Sequence, residues 1–91
     1  MEKRLSAVVH GRVQGVSFRH YTRLEAQRLH LVGWVANRPD GTVQVVAEGS
    51  EIALQQLVAF LQQGPAVAYV TEVKIQWQMA MGEFNQFIVR W

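Results

Sequence analysis

The chain has 91 residues, 49% of them hydrophobic and 18% charged, which describes one small folded domain over 1–91 and not a disordered tail. It has no cysteine, so disulfides and thiolate metal ligands are excluded, and a net charge of +2 does not mark a nucleic-acid binder. No apolar run is long enough to cross a membrane and Met1-Glu2-Lys3-Arg4 does not open a secretory signal, so a cytoplasmic protein is expected.

Leu5, Ala7 and Val9 alternate with Ser6 and His10, the period of a strand buried on one side. Residues 11–17 break that alternation. From Phe18 the spacing is helical, with Phe18, Thr22, Ala26 and Leu29 on one stripe and Tyr21 and Leu24 widening it. Val32, Trp34 and Ala36 alternate again, which puts Asn37 on the face opposite Trp34. Pro39-Asp40-Gly41 predicts a turn, because proline presets its own φ and glycine accepts a positive one. Val43, Val45 and Ala47 complete a hairpin.

Ser50 is placed to cap a second helix, with Glu51 at the positive end of its dipole and Leu54, Leu57, Val58 and Leu61 facing inward. Gly64-Pro65 stops it. Tyr69, Thr71, Val73, Ile75 and Trp77 then alternate as a strand, and Met79 to Gly82 reads as a connection. A last short strand is expected from Phe84 or Asn85 to Arg90, with Phe87 and Val89 on one face.

This order is that of the ferredoxin-like split βαβ plan, an α+β sandwich in which an antiparallel sheet carries two helices on one face, here with a short extra C-terminal strand. The plan hosts enzymes, RNA-binding modules and regulatory domains alike, so it does not choose a function. An RNA-binding module needs exposed aromatics on central strands and a basic face. Trp34 and Trp77 are read as core instead, since they alternate with Val32, Val73 and Ile75.

The stretch Gly11-Arg12-Val13-Gln14-Gly15-Val16-Ser17-Phe18-Arg19 leaves a strand, crosses two glycines and enters a helix. The backbone amides of Gln14, Gly15, Val16, Ser17 and Phe18, with the guanidinium of Arg19, describe an anion seat of phosphate size. The pattern is neither a nucleotide P-loop nor a dinucleotide glycine motif. Read plainly, Arg19 is equally an exposed helix arginine, and the glycines merely a tight loop. Asn37 either ties down the turn that follows it or points into a site.

Ser17 has no base placed beside it, and Asp40 reads as an ordinary turn residue. His10 neighbours the loop, whereas His20 and His30 read as surface or helix-end residues. No His/Asp/Glu cluster has metal-ligand spacing, so neither a metal nor any other cofactor is expected.

The stretch 11–19 and Gly33-Trp34-Val35-Ala36-Asn37-Arg38-Pro39-Asp40-Gly41 together resemble the two signatures of the acylphosphatases. Val43-Gln44-Val45-Val46-Ala47-Glu48-Gly49, Gly64-Pro65 and Phe87-Ile88-Val89-Arg90 extend the resemblance over nearly the whole chain. It implies metal-independent hydrolysis of the carboxyl–phosphate bond of acylphosphates to a carboxylate and inorganic phosphate. Arg19 is then the catalytic phosphate-binding arginine, and Asn37 orients the attacking water. Ser17 and His30 depart from the pattern, standing where glycine is common. The implied partners are a small acylphosphate substrate and its phosphate product, with no nucleic acid, no membrane and a monomeric protein. A non-catalytic small-anion-binding regulatory domain is the alternative. The carboxylate of Trp91 is a further expected anchor for Arg19.

Overall fold

The computed structural model describes residues 2–90. Its elements are β1 (Glu2–Arg12), α1 (Phe18–Arg28), β2 (Val32–Asn37), β3 (Val43–Ser50), α2 (Glu51–Gln63), β4 (Tyr69–Met79) and β5 (Phe87–Arg90). The five strands form one sheet in the order β4-β1-β3-β2-β5, and both helices pack on one face of it. Among the described residues no helix is long and apolar enough to cross a membrane.

Leu5, Ala7 and Val9 of β1 stand opposite Ala47, Val45 and Val43 of β3 and are fully buried. Val35 of β2 continues that row, and Phe18, Thr22 and Ala26 of α1 lie over it with Leu54, Leu57 and Leu61 of α2. The second helix starts as expected, with the Ala53 N–H donating to Ser50 Oγ at 3.2 Å. The first ends in a Schellman motif, the His30 N–H donating to the Gln27 carbonyl and the Leu31 N–H to that of Ala26. That motif needs a left-handed residue, and His30 fills it at φ 59°.

The sheet is mixed, not antiparallel throughout. β5 runs parallel to β2, with Phe87 opposite Gly33 and Val89 opposite Val35. It joins the edge farthest from β4, so residues 80–86 must cross the helix-free face of the sheet to reach it.

A buried carboxylate organises that crossing. Glu48 is only 3% exposed and accepts hydrogen bonds from Arg4 Nε at 2.8 Å, the Met81 N–H at 2.8 Å and the Gly82 N–H at 3.0 Å. Arg4 also pairs with Glu83 and lies 5.0 Å from the Phe84 ring centroid. Burial alone would push the Glu48 carboxyl up, but the bonds from Met81, Arg4 and Gly82 outweigh it and hold the group below its ordinary value.

Several expected core residues are displaced. Tyr21 and Leu24 are 47% and 44% exposed. Trp34 faces away from the helices, beneath the Arg90 guanidinium at 4.6 Å, and Val35 takes the core position. Trp77 shares the helix face with its partner Leu5 but sits on an edge strand and stays half exposed. In β4 the alternation also slips. His10 pairs with Glu72 and Gly11 with Val70, and this bulge turns Val70 towards the core in place of Tyr69.

Candidate active site

The segment between β1 and α1 is held at two points, by Val13 buried in the core and Val16 packed against it. Between and beyond these anchors Gly15 and Ser17 are exposed and left-handed, at φ 73° and 61°. Left-handed residues of this kind build the turns in which successive N–H groups converge on an anion. Among the described residues, no N–H of residues 14–18 donates to a backbone carbonyl, and the Ser17 side chain does not cap the helix. The first turn of α1 therefore presents uncommitted donors at the positive end of its dipole.

Gln14 does more than supply an amide. Its Nε2 donates to the Arg38 carbonyl at 2.8 Å and the Thr42 carbonyl at 2.9 Å, so its side chain bridges the loop to the β2–β3 turn. That turn is closed by the Gly41 N–H on the Arg38 carbonyl at 3.1 Å. Asp40 Oδ1 accepts from the Thr42 hydroxyl at 2.6 Å and the Thr42 N–H at 3.0 Å, bonds that hold its carboxyl below the ordinary value. Asp40 is thus a turn residue. The bridging role of Gln14 has no sequence signal, because its acceptors are backbone groups of a remote turn.

A cleft of about 460 Å³ opens beside this bridge. Gly15, Ser17, Phe18 and Arg19 form one wall, Asn37 comes from the end of β2, and Val89 from β5. Arg19 and Asn37, expected from separate motifs, therefore line one cavity. Arg19 Nη1 donates to the Arg90 carbonyl at 3.4 Å, so the parallel strand β5 helps to set its position. The expected anchor at Trp91 lies outside the described residues. Asn37 stands opposite Trp34, as the alternation predicts, but Trp34 faces away from the helices, so Asn37 falls on the helix side and not on the outer face that a core Trp34 implies. Its Oδ1 is buried with no hydrogen-bond partner among the described residues.

His20 and Arg23 also line the cleft; His20 is exposed, as expected, and Arg23 is a residue to which the sequence assigns no role. The signal was present for Arg23, one helical turn beyond Arg19. His10 and His30 do not line it, and among the described residues no group of His, Asp and Glu could hold a metal ion. On charge the cleft suits an anion: its lining carries two arginines and, among the described residues, no carboxylate.

Comparison with known proteins points the same way. The family model for acylphosphatases matches residues 5–89. An acylphosphatase of Salinibacter ruber is 47% identical, over 98% of this chain and 94% of its own. The crystal structure of acylphosphatase from Bacillus subtilis superposes with a TM-score of 0.94 at 36% identity, covering 98% of this chain and 99% of that one. An acylphosphatase structure from Coxiella burnetii gives 0.91 at 36% identity, covering 98% and 93%. The chain belongs to the acylphosphatase family, the enzymes that hydrolyse acylphosphates to a carboxylate and inorganic phosphate.

Proposed function

We propose that the cleft beside Arg19 is the active site and that it works without a metal ion, by direct in-line attack of water on phosphorus. The N–H groups of Gln14, Gly15, Val16, Ser17 and Phe18, with the Arg19 guanidinium, hold the phosphoryl oxygens and take up their charge during transfer. Asn37 Oδ1 accepts a hydrogen bond from the water and aims its lone pair along the line of the breaking bond. The water oxygen bonds to phosphorus as the bond from phosphorus to the acyl oxygen breaks. The electron pair leaves with the carboxylate, and the water proton passes to a phosphoryl oxygen. Carboxylate is a stable leaving group, so no general acid is required.

The observation that carries this reading is that Asn37, whose Oδ1 is uncommitted to any described residue, lines the same cleft as Arg19. Because no described residue holds that oxygen, a turn of the side-chain amide is free to offer it to a water in the cleft. The working unit is taken to be the monomer, since Arg19, Asn37 and the loop already meet within one chain. One sheet carrying both helices supports the single-domain reading.

The test is hydrolysis of acetyl phosphate in the presence of a chelator, with phosphate as inhibitor. Wild type should turn over and be inhibited competitively. Arg19→Ala should lose about 10²-fold or more in kcat/KM and most of the phosphate inhibition. Asn37→Ala should lose roughly 10²-fold in kcat with the phosphate inhibition constant changed by no more than about twofold. A folded variant with wild-type activity refutes the role of that residue. A wild type that binds phosphate without turnover refutes the whole reading.

A further inference from the structure

Arg23 is a second cation in the cleft, which the mechanism above does not use. It follows Arg19 by four residues on α1, so the two share a helix face and are separated by about 6 Å along the axis. Its Nε is buried and has no hydrogen-bond partner among the described residues. The contrast with Arg4 is direct, since that part-buried guanidinium is met by both Glu48 and Glu83. No described residue lining the cleft supplies a carboxylate for Arg23. The cavity, at about 460 Å³, lies within the range of small-molecule sites and has room for an acyl group beside the phosphoryl group.

We propose that Arg23 is a specificity-determining residue that binds a second carboxylate on the acyl part of the substrate. The inference rests on the assignment of the phosphoryl group to the loop and Arg19. With that group fixed there, a carboxylate separated from the reacting carbonyl by a two- or three-carbon spacer reaches one helical turn along α1. A planar guanidinium meets it through paired hydrogen bonds, and partial burial strengthens the attraction. The substrate class is therefore the monoacylphosphates of short dicarboxylic acids.

The test compares kcat/KM for acetyl phosphate and succinyl phosphate in wild type, Arg23→Gln and Arg23→Lys, each verified as folded by circular dichroism. Wild type should favour succinyl phosphate. Arg23→Gln should lower the succinyl-to-acetyl ratio by about tenfold, chiefly through KM, and Arg23→Lys should restore part of it. Added salt should weaken the wild-type preference. A wild type that hydrolyses both substrates alike, or an Arg23→Gln variant that loses equally on both, overturns the proposal and leaves the cleft assignment standing. Failure of the cleft assignment itself reads out separately, as Arg19→Ala retaining acetyl phosphate turnover.

Discussion

Replacing Glu48 with glutamine keeps the shape of the side chain and removes its charge. The carboxylate accepts from Arg4 Nε, the Met81 N–H and the Gly82 N–H at 2.8, 2.8 and 3.0 Å. Glutamine offers one acceptor oxygen and turns an NH₂ group towards donors, so at least one donor loses its partner. Hydrogen bonds to a charged group contribute about 1.5–3 kcal/mol, and a buried donor left unsatisfied costs about 1–3 kcal/mol. Breaking a buried ion pair costs about 3–5 kcal/mol, and the pairing of Arg4 with Glu83 keeps this case at the lower end, about 3 kcal/mol. At about 4–8 °C per kcal/mol for a domain of this size, Tm should fall by roughly 12–24 °C at neutral pH.

The pH dependence has a defined sign. The folded carboxyl lies below its ordinary value of 4.5, so its stabilisation is complete above that value and is lost as pH falls through the folded pKa. Wild type and Glu48→Gln should therefore converge in acid. Thermal unfolding followed by circular dichroism from neutral pH down to about pH 3 measures this. Equal Tm values at neutral pH, or a gap that persists undiminished in acid, would refute the reasoning.

Gln14→Ala removes both bonds between the loop and the β2–β3 turn. It should lower kcat by about tenfold through misplacement of Asn37, while reducing unfolding free energy by only about 1–2 kcal/mol. Undiminished kcat would remove the bridging role. Ser17→Gly and His30→Gly each relieve a left-handed backbone, worth about 1–2 kcal/mol, against about 0.4–1 kcal/mol for the extra freedom glycine gives the unfolded chain. Each should raise stability in urea by about 0.5–1 kcal/mol. A loss of stability in either would show that the side chain contributes contacts outweighing the strain.

The local patterns carried much of the fold because they are written locally. The alternation of β1, the Pro39-Asp40-Gly41 turn and the Ser50 cap each depend on a few adjacent residues. Trp34 and Trp77 were misread because alternation separates two faces without saying which is covered or which strand is an edge. The direction of β5 was illegible for a related reason. It is set by a crossover pinned on Glu48, whose place in β3 reads as an outward polar residue. At the site, spacing alone described an anion seat and set Asn37 opposite Trp34 without saying which of those faces the helices cover. The meeting of Asn37 with Arg19 required the hairpin, α1 and the loop together. Ser17 and His30, the two departures from the family pattern, are the only non-glycine residues with positive φ among those described. The glycine common there has a backbone reason.

Arg19 lies early in the chain, and the Arg90 carbonyl to which it donates lies near the end of the described residues. Lys3 pairs with Met79 across a similar span, and Gly33 with Phe87. Such distant partners slow folding, because the loop must close before the contact rewards it. During synthesis β1, α1 and the hairpin leave the ribosome with their apolar faces ready, but without β4 beside β1 or β5 beside β2. The loop at 14–19 therefore emerges well before the carbonyl that helps to fix Arg19. On the proposed assignment of Arg19, the cleft is complete only once the strand that closes the far edge of the sheet has joined it.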